Sequence, residues 1–300
     1  MAFNVYYKTI RNKQKREAML WSLLFLVLYF SSGYLAEFNL VKIYEGLPKF
    51  LDYIRDIIPT LHWNVLFADV KTEGSLAYWG YRLPIQLPLI WETLNIALAA
   101  TLVSAIISVF LAFVAAKNSP SAKWIKFIVR IIVAFMRTMP ELAFALMFVM
   151  AFGIGPFAGF LALTIHAIGS LTKLFYEAIE TASDKPVKGL QATGANGITR
   201  LRFGIWPQIK PLITAYTFMR FEVNFRQSTI LGIVGAGGIG QELMLSIKLD
   251  RYDQVSITLI MIVLVVTLID SISGYLRQKI VEGNALEYHA NTSKQALQAK

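Results

Sequence analysis

The sequence predicts an all-α, polytopic membrane helix bundle of about six transmembrane helices. Three observations carry this. Apolar residues make up 56% of the 300-residue chain and charged residues only 16%, with a mean hydropathy of +0.53. Apolar runs long enough to cross hydrocarbon recur along the chain. The Lys and Arg residues behind the net charge of +10 collect in short clusters beside those runs, which is the positive-inside pattern. A nucleic-acid surface would instead need a basic stripe along one soluble face, so no nucleic acid is expected as a partner. The chain has no cysteine, which excludes disulfides, thiolate catalysis and zinc–thiolate sites. His62, His166 and His289 are not at ligand spacing, so no metal is expected.

Lys8, Arg11, Lys13, Lys15 and Arg16 lead into a first span, Met19 to Ala36, and put the N-terminus on the cytoplasmic side. A signal peptide is the competing reading, but Gly33 to Glu37 is a poor cleavage site. From Glu37 to Leu87 acids and bases are mixed, which suits the outer side. Within it Leu47, Phe50, Leu51, Ile54, Ile57, Ile58 and Leu61 share one helical face, followed by Trp63. A helix lying along the membrane surface and a helix packed on the rest of the protein are both open. Residues 1–87 are thus a cytoplasmic N-terminus, a first transmembrane helix and an extracytoplasmic amphipathic segment.

Ile90 to Ala116 is the second span and ends in a basic turn with Lys117, Lys123, Lys126 and Arg130. The third, Trp124 to Phe152, carries Arg137 and Glu141 one turn apart around Pro140; they are expected to pair or to face a water-filled interior. Gly153, Gly155 and Pro156 make the next turn. Phe157 to Ala182 is the fourth span, with His166 near its middle. Pro211 to Val234, the fifth, contains Arg220, Glu222, Asn224, Arg226, Gln227 and Ser228. Lipid does not tolerate that face, so it lines an internal path or is buried against neighbours. The candidate path residues are therefore Arg137, Glu141, His166, Arg220, Glu222, Asn224 and Arg226. The alternative, that the arginines form structural pairs with Glu141 and Glu222, stays open. Gly235 to Tyr252 is expected to be an outer loop and Val255 to Ile272 the sixth span. Residues 281–300 read as a polar cytoplasmic tail, frayed from Glu287 onward, which leaves 88–280 as the core.

Asp184 to Pro207 is polar, basic and too long for a simple turn. Pro186 suits a first helical turn, and Val187, Leu190, Gly194 and Ile198 recur at helical spacing. Ala192, Gly194 and Ala195 leave a shallow surface on which another protein can dock. Gly235, Gly237, Gly238 and Gly240 formally meet a dinucleotide fingerprint, but a membrane span precedes them in place of the required strand. They read as a tight reversal with close helix contact, or as a backbone nest for an oxyanion. No phosphate-binding loop of the form G-x-x-x-x-G-K-[ST] occurs, and Ser170 near His166 lacks the elbow motif of a hydrolase.

The runs ATGAN (Ala192 to Asn196), GPFAG (Gly155 to Gly159) and RFEVNFRQSTILGIVGAGGIG (Arg220 to Gly240) resemble the phosphonate permease branch of the type I ABC importer permeases, over about Glu92 to Lys279. That family carries a cytoplasmic E-A-A-x3-G-x9-I-x-L-P segment. Aligned on Gly194 and Pro207, it puts Lys188, Gly189 and Leu190 on the E-A-A positions, and Gly204 and Trp206 on the I and L positions. The resemblance implies a five-helix importer core behind the N-terminal span, with ATPase coupling through Lys188, Gly189, Leu190, Ala192, Gly194, Ala195 and Pro207. Lys188 stands where the family has a carboxylate. It further implies a permease homodimer in the bacterial inner membrane, two ABC ATPase subunits and an extracytoplasmic substrate-binding protein, while the span count and the basic clusters place both termini on the cytoplasmic side. ATP and Mg would sit on the ATPases, so this chain binds no cofactor and is no enzyme. The implied cargo is a phosphonate, phosphite or hypophosphite, for which a path containing arginines suits the charge. Two other classes stay open: an ion-coupled secondary transporter using Glu222 and His166, and a polytopic membrane enzyme, for which no nucleophile or metal cluster speaks.

Overall fold

The computed structural model describes residues 2–119 and 121–298, and every regular element among them is helical. They form two compact units, residues 1–56 and 57–300. The first holds α1 (Ala2–Leu35) and most of α2 (Leu40–Ile57). Asn39 starts α2 by accepting the Val41 amide at 2.8 Å, as short polar side chains do at helix N-termini. The helix therefore begins before the predicted apolar face. It ends at Ile57, two residues ahead of Pro59, so Ile58 and Leu61 lie off it.

The second unit opens with a 3-10 turn (Trp63–Val65) and α3 (Leu76–Trp79). There follow α4 (Leu83–Ala115), α5 (Lys123–Thr138), α6 (Glu141–Phe152) and α7 (Pro156–Thr181). Next come α8 (Asp184–Ala192), the single turn α9 (Gly197–Thr199) and a π-helical stretch, Arg200–Ile205, that runs into α10 (Trp206–Gly232). The chain closes with α11 (Ile239–Lys248) and α12 (Tyr252–Gln298). Among the described residues, Arg11–Leu35, Leu83–Ala115, Pro156–Thr181 and Tyr252–Ile280 are long and apolar enough to cross a membrane; the pair α5–α6 makes a fifth if it counts as one bent span.

Three expectations change. The third span is not straight: α5 and α6 meet at 87°. Pro140 lacks an amide hydrogen and forces the residue before it out of helical space, and Met139 is extended at φ −69°, ψ 131°. The stretch after the glycines is not all loop, because α11 occupies most of it. The chain beyond Glu287 is not frayed in its backbone, since α12 continues through Gln298; Leu, Ala, Lys and Gln in that stretch favour continuation of a helix already seeded. Residues 299 and 300 lie outside the described residues.

The bundle is built around α7, which packs on α4, α5, α6 and α10. Lipid tails are as apolar as leucine, so close packing rather than water exclusion holds such helices together. Small residues do this on α4: Ala97, Ala100, Ser104, Ser108, Ala112 and Ala115 are buried at three- and four-residue spacing, and Ser108 Oγ donates to the Ile168 carbonyl of α7 at 3.2 Å. One buried cluster joins Ala112, Leu171, Phe175, Ile179, Ile209 and Ile213 near the α8 end. A second, with Ile96, Ala100, Phe144, Ala162, Leu163 and Leu231, lies toward the glycine turn. That turn is closed by direct contact: a β-carbon on Gly240 would lie 1.8 Å from the Thr229 carbonyl oxygen at the end of α10. Replacing Gly240 with Ala is expected to cost about 3 kcal/mol by overpacking, read as a lowered Tm of the purified chain in detergent; an unchanged Tm refutes the contact.

Candidate functional site

Two regions hold the polar residues that the sequence singles out. The first is a charged cluster inside the bundle. Arg220 of α10 is 8% exposed, and its Nη2 lies 3.2 Å from His166 Nδ1 on α7 and 3.9 Å from Glu141 Oε1 at the start of α6. Glu141 and His166 Nδ1 are themselves in close contact. The other ring nitrogen, Nε2, lies 3.2 Å from the carbonyl oxygen of Arg137. That oxygen only accepts, so Nε2 carries a proton. Nδ1 then donates to Glu141 when the ring is an imidazolium, or accepts from Arg220 when it is neutral. The ring can thus exchange one partner for the other without moving.

The break at Pro140 makes this possible. It turns Glu141 out of the helix that carries Arg137, and Arg137 itself ends exposed. Among the described residues the two form no ion pair, which removes the first of the two expected arrangements; what Arg137 contributes to the cluster is its carbonyl. Gly169 lets α5 come this near to α7, since a β-carbon there would stand 2.7 Å from the Arg137 amide nitrogen. One turn along α10, Asn224 is fully buried and donates to Thr101 Oγ1 of α4 at 2.9 Å. Arg220 Nε and Asn224 Oδ1 are buried with no hydrogen-bond partner. Arg226 and Glu222 pair along α10 as the sequence spacing allows, with Arg226 half exposed and Glu222 largely buried. Asp270 of α12 lies beside Glu222, so a second carboxyl faces the pair. Asp270 was legible as a lone acid in the sixth apolar run, and the sequence reading passed over it.

The second region is the α8 end. Pro186 sits in the first turn of α8, as predicted, but the helix stops at Ala192 instead of running to Ile198. Its end is a Schellman motif: the Ala195 amide donates to the Leu190 carbonyl at 3.1 Å and the Gly194 amide to the Gln191 carbonyl at 3.0 Å, with Gly194 at φ +77°. Gly194 is therefore a helix stop and not a position on the apolar face. Val187 and Leu190 turn inward onto Gly204, where a β-carbon would meet them at 3.1 and 3.4 Å. Lys188, Gly189 and Ala192 are left exposed, Ala195 is half-buried, and Pro207 is exposed in the first turn of α10. Gln208 ties the two ends of the segment together. It accepts the Ser183 amide at 2.9 Å and donates to the Gly204 carbonyl at 2.6 Å.

The glycine turn at the other end of α10 is the tight reversal. Its nest is filled from within: Glu92 of α4 accepts the Gly238 amide at 2.8 Å and Thr93 accepts that of Ile239 at 2.9 Å, so the N-terminus of α11 already has a carboxylate. Gly235, Gly237 and Gly238 have φ of +89°, +81° and +75°, which side chains resist. Glu92 and Thr93 also escaped the sequence reading, although Glu92 is a lone acid in an apolar helix.

Removing one partner of a buried charge pair leaves the other uncompensated. Glu141→Ala is expected to destabilise the chain by about 3–5 kcal/mol, and the double variant Glu141→Leu with Arg220→Met to recover most of that. Chemical denaturation of the parent chain and both variants checks this; a double variant no more stable than Glu141→Ala would show that the cluster is not a unit.

A family model described as the inner membrane component of binding-protein-dependent transport systems matches residues 108–282. Among curated proteins, the chain is 35% identical over 257 residues to a phosphite transport system permease protein of Stutzerimonas stutzeri, covering 86% of this chain and 87% of that one. It is 42% identical over 149 residues to a phosphate-import permease protein of Mycolicibacterium smegmatis, over 50% of this chain and 28% of the relative. The fold matches an inward-facing structure of the MetNI methionine ABC transporter with a TM-score of 0.59 at 19% identity, over 67% of this chain and 98% of that one. It also matches a bacterial ABC transporter for the import of alginate with a TM-score of 0.57 at 16% identity, over 89% of this chain and 97% of the other.

Proposed function

The chain belongs to the inner membrane components of binding-protein-dependent transport systems, and from that premise we propose that it is the permease subunit of an ATP-driven importer for phosphite, phosphonate or a related phosphorus oxyanion. In this reading six helical passes cross the membrane: the four apolar helices, the bent pair α5–α6 and the polar α10. Both termini and Asp184 to Pro207 then share the cytoplasmic side, in keeping with Lys185, Lys188, Arg200 and Arg202. The permease works as a homodimer on two ATPase subunits, with a binding protein delivering the anion from outside.

The observation that carries the mechanism is continuity. The π-helical stretch that receives α8 runs without interruption into α10, which bears Arg220, Asn224 and Arg226. Closure of the ATPases on the exposed face of α8 is passed through Val187, Leu190 and Gly204, and through the Gln208 clamp, to the foot of α10. Displacement of α10 shifts its polar face past α4, α7 and α12, and so alternates access to the path. The charge of Arg220 is compensated by Glu141 and serves the architecture. Arg226 is the cation offered to the passing anion, because half of its side chain is open.

Lys188 replaces the usual carboxylate, so coupling rests on shape. Gly189 has no atom within 4 Å of where a β-carbon would be and lies inside α8, so Gly189→Trp is expected to leave the chain folded while abolishing co-purification of the ATPase. Retained binding refutes docking on this face. In proteoliposomes holding the assembled complex, phosphite uptake is expected to require ATP. Arg226→Glu is expected to weaken uptake about tenfold, as one charge-assisted contact is worth about 1.5–3 kcal/mol. Unchanged affinity and rate would remove Arg226 from the path, and gradient-driven uptake by this chain alone would identify a secondary transporter.

A further inference from the structure

We infer that α2 is an interfacial anchor that lies in the headgroup boundary of the bilayer and is held there by apolar burial rather than by headgroup charge. At 100° per residue the apolar residues Ile43, Tyr44, Leu47, Phe50, Leu51 and Ile54 fall in one sector of α2. All six are exposed, from 42% at Ile54 to 81% at Tyr44, so the unit that α2 belongs to does not cover this face itself. The opposite sector carries Lys42, Lys49 and Arg55 against Glu45, Asp52 and Asp56. Three bases and three acids cancel, which removes the attraction to anionic lipid that basic amphipathic helices use. Pro48 falls on this polar side, where it leaves the apolar sector unbroken.

The occupant follows from α1. Its apolar stretch, Met19 to Leu35, is only about 25 Å long at 1.5 Å per residue, against a hydrocarbon core of about 30 Å. No length is spare, so Leu35 sits at the edge of the hydrocarbon. Four residues, Ala36 to Asn39, then join the two helices. They are folded into a turn in which the Phe38 amide donates back to the Gly33 carbonyl at 2.9 Å and Glu37 takes φ +51°. The first turn of α2 is thus held within the interfacial zone. From there an 18-residue helix with one continuous apolar face gains most by lying flat, with that face toward the acyl chains. The apolar surface of α1, none of which is buried over its most hydrophobic window, continues directly into it.

This inference rests on the reading that α1 crosses the bilayer, and it is tested together with that reading. The chain has no cysteine, so single substitutions carry a fluorophore without ambiguity. Full-length protein in the assembled complex is labelled at Leu47→Cys or Leu51→Cys on the apolar face, at Lys49→Cys or Asp52→Cys on the polar face, and at Leu26→Cys within α1. It is reconstituted in vesicles of phosphatidylcholine alone and of phosphatidylcholine with phosphatidylglycerol. Labels at 47 and 51 are expected to be quenched several-fold more by a shallow nitroxide lipid than by an aqueous quencher, and those at 49 and 52 the reverse, equally in both lipid mixtures. The label at 26 is expected to respond only to a deep nitroxide lipid. Shielding of 47 and 51 from both quenchers means that protein covers the face and overturns the proposal, as does free aqueous access at both. Lipid quenching that needs phosphatidylglycerol overturns the charge-independent mode. An aqueous response at 26 defeats the spanning of α1 instead, whatever α2 does.

Discussion

A guanidinium cannot be left alone inside a bilayer, and the arrangement of this bundle follows from where Arg220 finds its partners. Its cost in hydrocarbon is offset only by a carboxylate close by and by a ring that can accept or donate. Those partners come from two other helices. Glu141 is brought round by the extended residues Met139 and Pro140, and His166 is held by the Arg137 carbonyl, which Gly169 allows within reach. A straight third span would have left Glu141 beside Arg137 and Arg220 without its anion. The sharp bend is therefore the condition on which a polar α10 can stand in the middle of an apolar protein.

With that satisfied, α10 acts as a shaft about 40 Å long at 1.5 Å per residue. At its foot it is continuous with the surface formed by α8 and clamped by Gln208. At mid-height it carries the charged cluster, with Phe225 buried against Ala97 of α4 and Ile269 of α12. At its head it ends in glycines so tightly fitted that the chain can reverse only because no side chain intervenes.

The protein fills its own anion sites. Glu92 occupies the amides at the N-terminus of α11. At the other end, Glu180 gathers the Lys117 amide at 2.9 Å together with the Arg130 side chain, while Arg130 closes the end of α4 through the Ala115 carbonyl at 2.7 Å. Arg82 and Glu242, 2.7 Å apart and largely buried, fasten the stretch before α4 to α11. Several residues that composition counts as loose charge are thus structural caps, which leaves Arg226 as the half-open cation of the polar face.

The sequence by itself determined the membrane class, the apolar helices, the polar character of α10 and the polar, basic character of Asp184 to Pro207, because hydropathy, charge clustering and helix periodicity are local properties of the chain. It also identified Glu141, His166 and Arg220 as residues that lipid would not accept. Only the tertiary structure decided their partners. The reach of Glu141 depends on a bend whose angle no local pattern encodes. The filling of the glycine nest by Glu92 joins residues 146 positions apart, and the inward turn of Val187 and Leu190 needs the absent side chain of Gly204. Each of these is a contact between surfaces that become neighbours only when the helices pack.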